Sequence, residues 1–78
     1  MSDLVNTVRK NISNLGNSEL SLRANNESLQ ELWTQKQGLL QEMNAAKRAA
    51  AEEAARPYLE TIAEVDEMYA TILALIST

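Results

Sequence analysis

The chain contains no cysteine, no histidine and no phenylalanine, a single proline and only two glycines. Each absence removes a possibility. Without cysteine there is neither a disulfide nor a thiolate metal site to staple a small domain. Without histidine the commonest general base and the commonest metal ligand are gone, and no serine or threonine has an imidazole to activate it. No catalytic residue, no metal ligand and no cofactor site is therefore expected. Long apolar runs are also missing, because the longest, Met68 to Ile76, is about half the length of a membrane-spanning helix. The opening Met1-Ser2-Asp3-Leu4 has no basic start or apolar core of a secretory signal, so the expected location is cytoplasmic.

Positive charge is scarce. Seven lysines and arginines face eleven aspartates and glutamates, for a net charge of −4. From Met1 to Arg56 acids and bases balance, so the whole excess comes from Glu60, Glu64, Asp66 and Glu67, in a stretch with no base. Nucleic-acid binding draws its affinity from bases that neutralise phosphates, and none is expected here. Glu60, Glu64 and Glu67 share one side of a helix at 100° per residue and read as a solvated face. A bundle metal site would direct such acids inward and add a histidine. An acidic decoy of nucleic acid needs a denser array of charge and stands as a weak alternative.

What the sequence does have is apolar residues at helical spacing, which makes the expected fold all-α. Leu15, Leu22, Leu29, Leu32, Leu39, Met43, Ala46 and Ala50 recur at steps of seven and of three or four. That is a coiled-coil seam, with Leu15, Leu22, Leu29, Met43 and Ala50 at a and Leu32, Leu39 and Ala46 at d. Asn25 at d and Lys36 at a interrupt it. A second seam, Tyr58, Ile62, Val65, Tyr69, Ile72 and Ile76, follows, widened by Leu59, Met68, Leu73 and Leu75.

The pattern predicts a single domain over 1–78, built as a helical hairpin with a short first helix. The first helix, about 3–15, is capped by Ser2 or Asp3 and places Leu4, Val5, Val8, Ile12 and Leu15 on one face. Gly16 offers the left-handed residue that ends helices, and a helix running through it is the alternative, at roughly 1 kcal/mol. A long helix follows over about 18–54, roughly 55 Å at 1.5 Å per residue. Its first part is weakened by Asn25, Asn26 and Ser28, and its last part is an alanine tract in which Glu52 would pair with Arg56 if the helix reached that far. Arg56-Pro57 predicts a tight turn near Ala55 and Arg56, with a kinked continuous helix as the alternative. The last helix occupies about 57–77. Gly38 lies off the seam, either as a point of close approach or as a tolerated surface glycine.

Lengths then point to a partner. A last helix of about 30 Å covers only the latter half of the long one, leaving Leu22, Leu29, Leu32 and Trp33 bare. The first helix could fold back over them and give a three-helix monomer, or a second chain could cover them. A homodimer or higher helical bundle is the expected arrangement, because the seam is long and carries polar a and d residues of the kind that fix register. Self-association is assigned to Leu39, Met43, Ile62, Val65, Tyr69 and Ile72. Capture of an unidentified protein is assigned to Leu22, Leu29, Leu32, Trp33, Met68 and Leu75, with the lone tryptophan as the anchor. Lys36 is read as snorkelling. The expected function is a non-enzymatic adaptor, chaperone or inhibitor of another protein; the alternative is a self-assembling scaffold subunit. In general form the chain resembles short helical-hairpin accessory proteins of bacteriophages and of bacterial secretion systems.

Overall fold

The computed structural model describes residues 3–17 and 24–77. It is all-helical, with no strand among those residues: α1 is Asp3–Asn17, α2 is Asn26–Ala49, and α3 is Arg56–Ser77, entered through a 3-10 turn at Glu52–Ala55. Gly16 lies inside α1, which runs to Asn17, and no described glycine has positive φ, so Gly16 is no left-handed terminator. A single helix through it into the later seam does not form either, because Asn25 is extended and a new helix starts at Asn26.

The start of α2 is eight residues later than the pattern placed it. Asn25 is extended, at φ −148 and ψ 173, and its Oδ1 accepts the Ser28 backbone N–H at 2.8 Å. That is an N-cap, in which a side-chain oxygen serves a donor left unpaired by the first helical turn. The competition for backbone bonds that makes Asn25, Asn26 and Ser28 weak helix formers also makes Asn25 a start signal. At 24 residues α2 spans about 36 Å rather than 55 Å.

The turn also moves, from Ala55–Arg56 to Ala50–Ala51. The Ala50 N–H still reaches Ala46 O at 3.0 Å, but Ala50 leaves helical angles at φ −127 and ψ −87, and Ala51 is extended at φ −164 and ψ 173. Because the α-helix stops at Ala49, the Glu52–Arg56 helical pairing has no helix to support it. The cause lies downstream. A proline ring excludes a helical carbonyl four residues before it, which for Pro57 is that of Glu53. Breaking the α-helix before Glu53 removes that conflict and leaves Pro57 in the first turn of α3, where an N–H would have no partner anyway. Arg56 is itself helical, at φ −55 and ψ −50, against the usual restraint on a residue before proline.

Small side chains let the corner close. Ala55 is buried, and the buried hydroxyl of Thr61 donates to Pro57 O at 2.7 Å. Lys47 and Arg48 sit in the last turn of α2, where cations favour the carbonyl end of the helix.

One core joins the three helices. Val5, Val8 and Leu15 of α1, Leu29, Leu32, Leu39 and Met43 of α2, Ala55, and Ile62, Val65 and Ile72 of α3 form a single buried cluster. Leu4, Ile12, Tyr58, Met68 and Tyr69 pack at its edge. Cross-links fix the directions. Lys36–Asp66 and Glu42–Tyr58 run α3 antiparallel to α2, while Arg9–Glu60 and the approach of Gly16 to Met68 run α1 parallel to α3. The bundle measures 43 × 20 × 15 Å between its Cα extremes. The first helix thus folds back over the surface that the hairpin alone would leave bare.

Candidate interaction surface

The heptads that form the core are used up within one chain. Leu39, Met43, Ile62, Val65 and Ile72, assigned from the sequence to self-association, are buried in the intramolecular cluster, with Tyr69 half-buried at its rim. Leu29 and Leu32, assigned to partner capture, are corrected in the same way: they are 9% and 0% exposed. The buried cluster they belong to includes residues of the returning α1 and of α3, an arrangement the sequence offered only as the alternative to a second chain. Leu22 lies outside the described residues. Met68 is half-buried against α1, within 3.9 Å of where a Cβ on Gly16 would stand.

Trp33 goes the other way. It follows Leu32 by one residue, and the 100° step carries the indole out of the core to 53% exposure. Beside it Asn26, Leu29, Gln30 and Tyr69 line an open cleft of about 440 Å³ between the start of α2 and the latter half of α3. The outward face of α2 around Trp33 carries Asn26, Gln30, Gln37 and Asn44, with Lys36 about 60° to its other side and held by Asp66, while Glu31 and Glu42 fall on the opposite side of the helix at 100° per residue. Amides around an indole give a surface that is polar without net charge, and such a surface costs less to desolvate than an ionised one.

Two cations, Lys36 and Arg9, pair with acids of α3. Lys36 Nζ meets Asp66 Oδ1 at 2.8 Å, so the polar a residue bridges α2 to α3 rather than reaching into solvent. Arg9 of α1 lies between two acids of α3, with Nη2 3.5 Å from Glu60 and Nε 4.0 Å from Glu64. Its Nε is buried with no hydrogen bond, so these carboxylates are its compensation. The acidic face of α3 is therefore partly an inter-helix seam, which the sequence reading as a solvated face missed. A second groove of about 260 Å³, lined by Ile12, Glu64, Glu67, Met68 and Thr71, runs along that junction. Among the described residues no group of three acids converges as a metal site, and no helix is long and apolar enough to cross a membrane.

The largest apolar exposure outside Trp33 is on α3. Leu59 is 53% exposed, Leu73 46%, Leu75 39% and Ile76 38%. Of these only Leu75 was singled out from the sequence as a binding residue. Leu59 and Leu73 looked like a broadening of the inner seam, yet they belong to a heptad offset by one residue, a signal that spacing alone carries. Compared with known protein families, curated proteins and solved structures, the chain finds no match.

Proposed function

We propose that this protein is a small, non-enzymatic helical interaction module that binds another protein through the apolar surface left outside its core. It acts as an adaptor, chaperone or inhibitor of that protein. The observation that carries this reading is the exposed indole of Trp33 beside the Leu29–Tyr69 cleft. Tryptophan placed over a partly apolar cleft is the side chain that most often dominates a protein interface, since it buries a large rigid surface at small entropic cost. Leu73 and Ile76 follow Tyr69 at steps of four and three and extend the apolar surface along α3. Recognition of this kind needs only a groove and an amphipathic helix, and no catalytic group.

The decoy reading has less support, because Glu60, Glu64 and Asp66 lie against cations of the other helices and the charge array is thinned accordingly. The test is comparative capture. Tagged wild type and Trp33→Ala, matched for helix content by circular dichroism, are used to recover proteins from an extract. A protein held by wild type and released by Trp33→Ala supports the proposal. Equal recovery by both, with the variant folded, removes Trp33 from the interface and the proposal with it.

A further inference from the structure

Resting on the reading that the exposed face of α2 and α3 is an interaction surface, we infer that the outer face of α3 docks on the same face of a second copy, helix antiparallel to helix. Leu59, Ala63, Asp66, Ala70, Leu73 and Ser77 are spaced four, three, four, three and four, which is a heptad seam displaced by one residue from the buried one. All six are exposed, with Leu59 and Leu73 each about half uncovered. Helix α3 is thus two-faced: its inner seam packs on α1 and α2, while its outer seam is exposed, with Asp66 held by Lys36 of α2.

The order of side chains along the outer seam says what fits it. Read against its own reverse, Leu59 meets Ser77, Ala63 meets Leu73, and Asp66 meets Ala70, so every large residue faces a small one. Facing large and small positions is how helices interdigitate without voids. A parallel pairing of two copies would instead set leucine on leucine, alanine on alanine and Asp66 on Asp66. The first two leave the layers uneven, and the third opposes like charges. Two chains of net charge −4 repel, and Glu60 and Glu67 flank the seam, so the association is expected to strengthen with added salt. Asp66, the only ionisable residue of the outer seam, is already matched by Lys36 at 2.8 Å.

Size sets the strength. The seam runs about 27 Å from Leu59 to Ser77 and is about 10 Å wide, or about 540 Å² of buried surface over both copies, the size of a weak and reversible contact.

Because the chain has no cysteine, introduced thiols map the register directly. Ala63→Cys and Leu73→Cys chains are oxidised separately and as a mixture, alongside sedimentation equilibrium of the unmodified chain from about 10 µM to about 1 mM. The expected result is a monomer–dimer equilibrium, with disulfide-linked dimers in the mixture and few in either single sample. Ala70→Glu, which sets a second acid against Asp66 of the other copy, should weaken association on the order of tenfold or more at unchanged helix content. A monomer at every concentration overturns the inference, as do links confined to the single samples or an Ala70→Glu chain that dimerises normally. Such failures leave the Trp33-dependent capture of another protein standing, since that readout is separate.

Discussion

Gly16 and Gly38 are both helical, but they meet different neighbours. A Cβ on Gly16 would rest 3.9 Å from Met68 Cε, an ordinary contact, whereas one on Gly38 would come within 3.2 Å of Leu4 Cδ2. Alanine exceeds glycine in helix propensity by about 0.8–1 kcal/mol in a helix interior. Gly16→Ala should therefore raise the unfolding free energy by about 0.5 kcal/mol, reduced from the interior figure because Gly16 is in the last turn. Gly38→Ala has the larger propensity to gain but must push the Leu4 methyl aside, so its net effect is expected to be under about 0.5 kcal/mol of either sign. Urea unfolding followed by circular dichroism measures both. A loss of more than about 1 kcal/mol at Gly16 would mean that it serves as a backbone terminator after all. The close approach at Gly38 was one of two readings open from sequence, and only the packing of α1 on α2 decides it.

At the scale of elements, Pro57 and Lys36 are the informative positions. Proline inside a helix costs about 3 kcal/mol, but Pro57 stands in the first turn of α3, where no N–H is missed. Pro57→Ala should change stability by less than about 1 kcal/mol, through the unfolded chain more than the folded one. A gain near the full interior cost, read by thermal melting, would show that the corner is strained. Lys36–Asp66 ties α2 to α3 between partly exposed groups, so a double-mutant cycle with Lys36→Met and Asp66→Asn should return about 0.2–1 kcal/mol, and less at high salt. The existence of three helices was legible from spacing, as were most core residues: the inner seam residues Leu29, Leu32, Leu39, Met43, Ile62, Val65 and Ile72 are all interior. Boundaries were not. Asn25 carries the same weak propensity whether it sits inside a helix or caps one, and only its extended backbone distinguishes the two. Alanine favours helix at positions 50 and 51, yet the chain breaks there, because Pro57 cannot accept a helical Glu53 carbonyl and the break must come earlier.

For the whole molecule the decisive fact is that α1 returns. A hairpin of α2 and α3 alone would leave Leu32 open on one side, and the sequence could not say whether α1 or a second chain would cover it. Both solutions bury the same leucines, and heptad spacing is blind to which chain supplies the cover. Val5, Val8 and Leu15 in the cluster show that α1 does. The candidate surface was legible at Trp33 and missed along Leu59 and Leu73, since an outer heptad one residue away from an inner one looks like a single wide apolar band until the inner one is filled. A chain shortened to begin at Asn17 should lose α1's share of the core and most of its helical signal at 222 nm, because a core this small has little margin. Retention of a sharp cooperative melt by the shortened chain would show that the hairpin stands alone.

The division between an inner seam satisfied within one chain and an outer seam left exposed is tested most directly by comparing Leu32→Ala with Leu73→Ala in urea unfolding at low micromolar concentration. Leu32 is wholly buried and Leu73 is 46% exposed. Leu32→Ala is expected to cost about 2–5 kcal/mol, the range for removing a buried leucine, and Leu73→Ala less than about 1 kcal/mol. Equal losses at the two positions, or a larger loss at Leu73, would contradict the division and return the inner seam to a partner chain.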